Sequence, residues 1–204
     1  MKQPLTLDWQ KNPDGLLPAI IQDARTGEIL MLGYMNEEGL KKTLQTGLVT
    51  FFSRSKKRLW IKGETSGNTL QFVSVSVDCD ADALLIQAIP KGPTCHTGAR
   101  LCFATTETPL TTLGLLIATI NERSQSGTDT SYTKRLLDGG LAAYGAKVLE
   151  EAAELVRAAR EEGNQRTIEE AADLLYHFFV LLRGEGIELA DIAVELRKRR
   201  NFPS

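Results

Sequence analysis

Apolar residues in the first hundred positions occur in short runs and alternating stretches, a pattern typical of β-strands. The pattern predicts strands over residues 17–22, 29–34, 48–53, 70–77 and 83–89. Between the second and third of these, Asn36 is a residue type that caps helices, and Gly47 is one that ends them. We therefore expect one helix from Asn36 to about Thr46 within this otherwise strand-rich half.

The composition changes around residues 104–112, where threonine, alanine and a proline replace the apolar alternation, and we interpret this segment as a linker. Beyond it the chain follows a helical periodicity, interrupted by loops expected at residues 124–130, 138–140 and 163–165. We predict two domains: an α+β, mostly β, metal-binding domain over residues 1–107, and an all-α domain over residues 108–204.

Residues 73–82 alternate strictly, so an extended strand would present different side chains on its two faces. One face would carry Val73, Val75, Val77 and Cys79, and the other would carry Ser74, Ser76, Asp78, Asp80 and Asp82. Neighbouring carboxylates repel one another unless solvent or a hard cation relieves the charge, so the aspartates are candidate ligands for magnesium or calcium. An EF-hand loop fits poorly, because its sixth and twelfth positions would be Ala83 and Ile89. A solvated turn remains the alternative.

The three cysteines, Cys79, Cys95 and Cys102, are an odd number and lie near other candidate ligands. Cys79 adjoins the aspartates, and Cys95 precedes His96, one of two histidines in the chain. Three thiolates would leave a fourth zinc position open, as catalytic zinc sites do, although the spacing is not that of a zinc finger. Buried thiols without a metal are the other possibility.

Two acidic motifs in the helical half place carboxylates one turn apart on the same helix face. The pairs are Glu151 with Glu154, and Glu170 with Asp173. The second pair shares a mostly apolar helix with His177, where unpaired charge is costly. Two such helices could hold a magnesium ion between them, whereas an ordinary charged helix surface explains the same residues without a metal.

The length of 204 residues allows two domains with apolar cores. A net charge of −2 indicates neither nucleic acid nor an anionic membrane as the main partner. No apolar run reaches the roughly 18–20 residues of a membrane span, and residues 1–9 lack the pattern of a signal peptide. From the sequence we therefore expect a cytoplasmic protein.

Five stretches of the first half resemble the cyclohydrolase part of the bifunctional histidine-biosynthesis enzymes, which join phosphoribosyl-AMP cyclohydrolase to phosphoribosyl-ATP pyrophosphohydrolase. The stretches are residues 27–36 (GEILMLGYMN), 52–55 (FSRS), 59–68 (LWIKGETSGN), 78–82 (DCDAD) and 92–98 (GPTCHTG). The second half resembles the all-α nucleotide pyrophosphohydrolases in residues 130–133 (TSYT) and in the two acidic motifs. Leu149 departs from the pattern, since many relatives have glycine there.

The resemblance implies that the second domain hydrolyses phosphoribosyl-ATP to phosphoribosyl-AMP and pyrophosphate, and that the first domain then opens the adenine ring of phosphoribosyl-AMP. It also implies a homodimer whose zinc ions are held across the interface by Cys79, Cys95 and Cys102. Magnesium would be bound by Asp78, Asp80 and Asp82 in the first domain, and by Glu151, Glu154, Glu170 and Asp173 in the second.

Ring opening needs an activated water near neutral pH, and His96 beside Cys95 is placed to transfer the proton. The basic run at residues 54–58 and the polar loop at residues 63–68 could bind the phosphate and ribose of a nucleotide. The candidate substrate-binding residues are Arg54, Lys57, Trp60, Glu64, Thr65 and Ser66. A solvated basic surface explains the run equally well.

Two other functions remain open at this point. A house-cleaning nucleotide pyrophosphohydrolase could carry a first domain in which the metal is purely structural. A non-enzymatic, zinc-dependent dimerisation module could use its acidic helices to bind a partner.

Overall fold

The computed structural model describes residues 6–103, 108–125 and 131–200. The chain forms a strand-rich unit, Met1–Gly114, and a helical unit, Leu115–Ser204. This confirms the predicted fold class, a mostly β part followed by an all-α part. The boundary expected at residues 107 and 108 stays a prediction, because residues 104–107 lie outside the described ranges. Within those ranges, no helix combines the length and the apolar character needed to cross a membrane.

The strand-rich unit contains six strands and one helix in its described part. In chain order they are β1 (Leu17–Asp23), β2 (Ile29–Met35), α1 (Glu37–Thr46), β3 (Thr50–Ser53), β4 (Arg58–Ile61), β5 (Leu70–Val77) and β6 (Leu84–Pro90). Four of the strands form a sheet in the order β2-β1-β6-β5. Strands β1 and β6 are parallel, and the other two neighbouring pairs are antiparallel.

The helix α1 begins and ends where the sequence predicts. The side chain of Asn36 accepts a hydrogen bond from the backbone N–H of Gly39 at 2.9 Å, which satisfies one of the free donors of the first turn. Gly47 ends the helix in the left-handed conformation with a φ of 72°, which glycine adopts without strain. The helix joins β2 to β3, and the buried hydroxyl of Thr43 accepts the N–H of Thr50 at 2.9 Å.

A second, two-stranded sheet pairs β3 with β4. The sequence suggested a strand at β3 but only the end of a basic run at β4. Phe51 lies opposite Trp60, and their ring centroids are 5.2 Å apart. Phe51 is fully buried in the core, and a Cβ at Gly33 would lie 2.4 Å from its ring. Glycine at this position of β2 therefore lets the two sheets approach each other closely.

The predicted alternation of residues 73–82 is wrong in two respects, of which the first lies within β5. A β-bulge interrupts β5 between Phe72 and Ser74, so Val73 is the extra residue and is 45% exposed. Phe72, before the bulge, and Val75 and Val77, after it, all pack against the core. The sequence pattern placed Val73 on the face of Val75 and Val77, because a bulge changes the phase of an alternation without any change in composition.

The helical unit and the segment before it contain five helices in their described parts. They are α2 (Pro109–Gln125), α3 (Tyr132–Asp138), α4 (Gly140–Glu161), α5 (Asn164–Gly184) and α6 (Leu189–Arg200). The segment interpreted as a linker, residues 104–112, is therefore helical from Pro109 onward, since proline suits the first position of a helix. The loops expected at residues 138–140 and 163–165 lie at the observed helix ends. The interruption between α5 and α6 was not predicted.

The long helices α4 and α5 pack along each other and bury residues at heptad spacing. On α4 the buried positions are Tyr144, Glu151 and Ala158. On α5, Glu170 and His177 are buried, and a Cβ at Gly184 would lie 2.7 Å from the Tyr144 ring. The antiparallel pairing of Tyr144 with Gly184 and of Glu151 with His177 places carboxylates inside the contact between the two helices.

Separate expression of the two parts tests the predicted boundary. We expect residues 1–107 and residues 108–204 to fold independently, because each has its own buried apolar residues and α2 is kept whole by a start at Thr108. Circular dichroism should give a mostly β spectrum for the first part and a helical spectrum for the second. If neither part unfolds cooperatively from several nearby end points, the two parts form one interdependent structure.

Candidate active sites

The strand-rich unit contains a cavity of about 590 Å³ beside β4. Four predicted substrate-binding residues line it together with the predicted catalytic histidine: Trp60, Glu64, Thr65, Ser66 and His96. Alternate residues of β4 and its continuation, Arg58, Trp60 and Lys62, face the same space, as the pleat of a strand requires. The cavity thus combines cationic, aromatic and hydroxyl groups, which suit a nucleotide with its phosphate.

Two of the three cysteines also line this cavity, Cys95 and Cys102. Their side chains interact directly with each other. The hydroxyl of Thr97 donates to the Cys95 sulfur at 3.2 Å and is the main reason why the pKa of this thiol is lowered. Burial raises the pKa of Cys102. His96 Nδ1 lies 3.8 Å from the Cys95 sulfur, so a histidine borders the paired thiols.

Cys79 lies apart from this pair. It is exposed in the turn that follows β5, and it does not line the cavity. Among the described residues of one chain, the three cysteines form no common group of possible ligands. Two thiols with an open side therefore fit a zinc ion that takes a further ligand from elsewhere.

Lys62 is a cavity residue that the sequence analysis did not select. Its side chain is buried, with 9% of the residue exposed, and its ammonium donates to the backbone oxygen of Asn68 at 3.4 Å. Burial lowers the pKa of Lys62, whereas the nearby Cys102 and Cys95 act in the opposite direction. The alternation of β4 was the available signal, since Lys62 follows Trp60 by two residues.

The basic run at residues 54–58, which was predicted to bind the nucleotide, reaches the cavity only in part. Arg58 forms a two-point ion pair with Glu64, with 2.5 Å between Nη2 and Oε1, and this pair lowers the pKa of the Glu64 carboxyl. Lys56 also lines the cavity, whereas Arg54 and Lys57 do not belong to its described lining. The Arg54 guanidinium instead lies 3.8 Å from the centre of the Tyr34 ring. Lys57 has a φ of 52° in the turn between β3 and β4.

The aspartates are brought together by a turn and not by an extended strand. β5 ends at Val77, and Asp78 Oδ1 accepts the backbone N–H groups of Asp82 and Ala83 at 2.9 and 3.0 Å. Carboxylate oxygens of Asp78, Asp80 and Asp82 lie within 4.8 Å of one another. The predicted separation of alternate residues onto two strand faces therefore stops at Val77, where the extended backbone ends.

A lysine already compensates part of this negative charge. The Lys11 ammonium lies 2.5 Å from Asp80 Oδ2 and 2.8 Å from Asp82 Oδ2. The backbone also holds the N-terminal segment here, because Asp8 N donates to the Ala81 oxygen at 2.8 Å. The oxygen atoms suit a hard cation such as magnesium, and a cationic group bridging two of them supports that fit.

The acidic motifs meet between α4 and α5. Carboxylate oxygens of Glu151, Glu154 and Glu170 lie within 4.8 Å of one another, and we call these residues the helical carboxylate cluster. Asp173 is exposed and is not part of this tight group, although its charge acts on Glu170 and His177. The structure thus brings together three of the four predicted ligands.

Glu170 is the most deeply buried member of the cluster. It is 1% exposed, and neither carboxylate oxygen has a hydrogen-bond partner, although one oxygen forms an ion pair with Arg166. Burial is the main cause of its raised pKa. The charge of Arg166 acts in the opposite direction, and the charges of Glu154, Glu151 and Asp173 add to the rise. A buried carboxylate without hydrogen bonds is a ligand that a divalent cation would satisfy.

A basic group borders each carboxylate of the cluster: Arg166 pairs with Glu170, and Arg157 Nη2 lies 3.9 Å from Glu154 Oε1. The Lys147 ammonium lies 2.9 Å from Glu151 Oε1, and His177 Nε2 lies 3.6 Å from the same oxygen. Burial lowers the pKa of His177, and its Nδ1 has no hydrogen-bond partner in the described structure. The cluster is therefore an acidic centre that is buried at Glu151 and Glu170, and each of its carboxylates also faces a cationic group of the protein.

A strand-rich unit with a cavity lined by thiols and a histidine, combined with a helical unit that encloses carboxylates, defines a two-site enzyme of the hydrolase class. Family models match both parts. Residues 31–104 match phosphoribosyl-AMP cyclohydrolase, and residues 113–200 match phosphoribosyl-ATP pyrophosphohydrolase.

Whole-length relatives give the same result. The chain is 49% identical over 193 residues to the histidine biosynthesis bifunctional protein HisIE of Escherichia coli, and the alignment covers 95% of each chain. It is 51% identical to HisIE of Xanthomonas campestris, over 95% of this chain and 92% of the relative. HisIE of Bacteroides thetaiotaomicron is 48% identical over 97% of both. The chain therefore belongs to the HisIE family of bifunctional histidine-biosynthesis enzymes, with a cyclohydrolase domain and a pyrophosphohydrolase domain.

Proposed function

We propose that the two sites perform consecutive hydrolytic steps in histidine biosynthesis. The helical carboxylate cluster serves the conversion of phosphoribosyl-ATP to phosphoribosyl-AMP and pyrophosphate, and the thiol-lined cavity serves the opening of the adenine ring. The product of the first step is the substrate of the second. The observation that carries this proposal is the meeting of Cys95, Cys102 and His96 at one cavity, within the part that matches the cyclohydrolase model.

We propose that Cys95 and Cys102 hold a zinc ion together with Cys79 from a second copy of the chain. When bound there, zinc activates water for attack near neutral pH. His96 borders the two thiols and can accept the proton of that water and later deliver it to the ring nitrogen that leaves. One carbon–oxygen bond forms and one ring carbon–nitrogen bond breaks, so the proton balance needs such a group.

The remaining cavity residues bind and orient the nucleotide. Lys56 and Arg58 supply positive charge for the phosphate, and the Trp60 ring supplies an apolar surface for a base or ribose. Glu64 is held by Arg58 and by the N–H of Ile61 at 3.3 Å, so it can accept ribose hydroxyl groups from a fixed position. Thr65 and Ser66 add hydroxyl groups to the same wall.

In the helical unit, we propose that Glu151, Glu154 and Glu170 bind magnesium, with Asp173 available to bind at the exposed margin. A magnesium ion bound by these residues would supply positive charge for phosphate oxygens and an activated water. The protein residues hold the ion between two packed helices, and burial keeps Glu170 away from competing solvent. The seven-residue spacing of buried positions on α4 supports a preformed site.

The direct test is turnover of phosphoribosyl-ATP by purified full-length protein. Pyrophosphate release and ring opening should both occur, with pyrophosphate appearing first. Hydrolysis of common nucleoside triphosphates at comparable rates would instead support a house-cleaning enzyme. Absence of turnover by metal-loaded protein would support a binding module.

The thiol ligands also lead us to place the protein in the cytoplasm, where a reducing environment preserves them.

A magnesium site at the aspartate turn makes a separate prediction. Replacing Asp80 by asparagine removes one of three close carboxylates, so the magnesium concentration needed for ring opening should rise by about 10-fold or more. Pyrophosphate release by the same molecules should keep its wild-type magnesium dependence, which provides an internal control. An unchanged titration of ring opening would mean that the aspartates are an ordinary solvated turn.

The proposed homodimer has support in both units. In the first, Cys79 is separated from the paired thiols of its own chain. In the second, apolar residues of α4 remain exposed, including Leu141 at 60%, Leu149 at 74% and Val156 at 52%. Exposed apolar residues on one helix are typical of a surface that another protein copy covers.

Mixing two inactive variants tests the sharing of zinc ligands. Cys79→Ser and Cys102→Ser should each abolish ring opening when expressed alone. A mixed dimer has one intact site, formed by Cys102 of one copy and Cys79 of the other. Random mixing should therefore restore about a quarter of the wild-type activity, since about half of the dimers are mixed. No recovery after subunit exchange would place all three ligands in one chain.

A further inference from the structure

The segment that carries two of the proposed zinc ligands has a defined shape. In residues 94–102, which we call the cysteine loop, Cys95 N donates to the Ala99 oxygen at 3.0 Å and Thr94 N donates to the Arg100 oxygen at 3.1 Å. Cys102 N donates to the Leu30 oxygen of β2 at 2.8 Å. The loop therefore folds back on itself and is attached to the sheet at its far end.

Arg100 provides a second attachment of the cysteine loop. Its Nε donates to Glu28 Oε2 at 2.7 Å, and its Nη2 donates to Asp23 Oδ2 at 3.1 Å and to Thr26 Oγ1 at 3.3 Å. The two carboxylate side chains are almost fully buried, with exposures of 0% for Asp23 and 7% for Glu28. One guanidinium thus satisfies two buried carboxylates in a planar, multi-point contact.

The carboxylates belong to a rigid part of the fold. Asp23 ends β1, and the turn to β2 is closed by Asp23 N donating to the Glu28 oxygen at 2.8 Å. Thr26 Oγ1 also donates to Glu28 Oε2 at 2.9 Å, which fixes the carboxylate that Arg100 contacts. The guanidinium therefore joins the cysteine loop to the hairpin formed by β1 and β2.

Arg100 lies between the two cavity thiols in the sequence, and it is not itself in the described lining of the cavity. Its contacts with the sheet therefore act on the position of Cys95 relative to Cys102, and not on the nucleotide. Metal sites lose affinity when the groups that orient their ligands are removed.

We propose that Arg100 is a positioning residue that presets the spacing of Cys95 and Cys102 for zinc. This inference rests on the zinc ligands of the proposed function. It adds a role for a residue outside the cavity, and the role depends on its two buried carboxylate partners.

The test compares full-length Arg100→Met with Arg25→Met. Arg25 is a matched control, because its Nε lies 3.6 Å from the same Asp23 but it belongs to the β1–β2 turn and not to the cysteine loop. We expect Arg100→Met to lower zinc affinity in chelator competition by about 10- to 100-fold and to alter the thiolate absorption of the cobalt-substituted protein. Arg25→Met should leave both near wild type, and Arg100→Lys should show an intermediate loss.

Kinetics separate positioning from binding of the nucleotide. In Arg100→Met, ring opening should lose kcat with little change in KM, and pyrophosphate release should be unchanged. Wild-type zinc affinity in Arg100→Met would overturn the proposal, and so would an equal loss in Arg25→Met. Arg100→Met leaves the buried carboxylates of Asp23 and Glu28 without this partner, which could prevent folding. In that case, the triple variant Arg100→Met, Asp23→Asn, Glu28→Gln removes both charges, and its zinc affinity is measured in the same way. Retention of zinc by Cys102→Ser would instead overturn the zinc ligands themselves.

Discussion

Replacing Glu170 by glutamine is expected to abolish pyrophosphate release while stabilising the metal-free protein. Glu170 is buried with no hydrogen bond to its carboxylate oxygens, so the amide removes a charge that burial and neighbouring carboxylates disfavour. Its ion-pair partner Arg166 is not left alone, because it also pairs with Glu162 and Glu169. Activity should fall by at least about 100-fold, because the change removes a proposed direct ligand of magnesium. The free energy of unfolding without metal should rise by on the order of 1 kcal/mol.

The adjacent Glu169 gives a matched control. Its side chain is 47% exposed and contacts Arg166 and Gln165, so Glu169→Gln keeps the same chemical change on the solvent side of the helix. This variant should retain activity, and its stability should change by less than about 1 kcal/mol. Thermal unfolding with a chelator and with magnesium separates the two effects. Normal activity in Glu170→Gln would show that the cluster is a structural acidic surface.

Replacing Cys95 by serine is expected to remove zinc and ring opening together. The thiol of Cys95 already has a lowered pKa because Thr97 donates to its sulfur, so it is prepared to bind as thiolate. Loss of one of three thiolates should reduce ring opening by more than about 100-fold. Pyrophosphate release should continue, because the carboxylate cluster lies in the other unit.

Thr97→Val is the control for this experiment, since it removes only the hydroxyl that donates to the sulfur. We expect it to weaken zinc binding by less than about 10-fold, consistent with the net value of one hydrogen bond. Zinc content and ring opening should be measured on the same samples. If Cys95→Ser opens the ring at the wild-type rate, the zinc assignment is wrong.

Local signals in the sequence were enough for much of the fold. Asn36 and Gly47 correctly marked the two ends of α1, because a cap and a left-handed glycine act within a few residues of their own position. The extra residue Val73 was not foreseeable, since a bulge depends on the register of β5 against β6. The helical start at Pro109 was missed because threonine-rich composition resembles a linker.

Among the cavity residues too, some were predicted from local sequence signals and others were not. His96 and Trp60 lie in motifs that the sequence displays directly, and both line the cavity. Lys62 was missed although the alternation of β4 places it beside Trp60. Arg54 and Lys57 were selected for their charge, but the turn between β3 and β4 directs this part of the run away from the described lining.

Residues that act across long sequence separations were beyond pattern analysis. The contact of Arg100 with Asp23 joins positions 77 residues apart, and no local periodicity connects them. In contrast, Glu151 and Glu154 were predicted as a pair, because helix geometry fixes which side chains of one helix share a face, and Glu170 was joined to them by the hypothesis of a metal held between two helices. Asp173 shows the limit of that rule, since a shared face does not guarantee burial.

The bridge from Lys11 to Asp80 and Asp82 also bears on the order in which the protein matures. Because an ammonium already balances these carboxylates, the turn can fold before a divalent ion arrives. Magnesium uptake at this proposed site would then be an exchange of one cation for another, and its apparent affinity would include the work of displacing the lysine. Glu170 in the helical carboxylate cluster is buried, whereas Asp80 is exposed, so newly made protein would load the two proposed magnesium sites under different constraints.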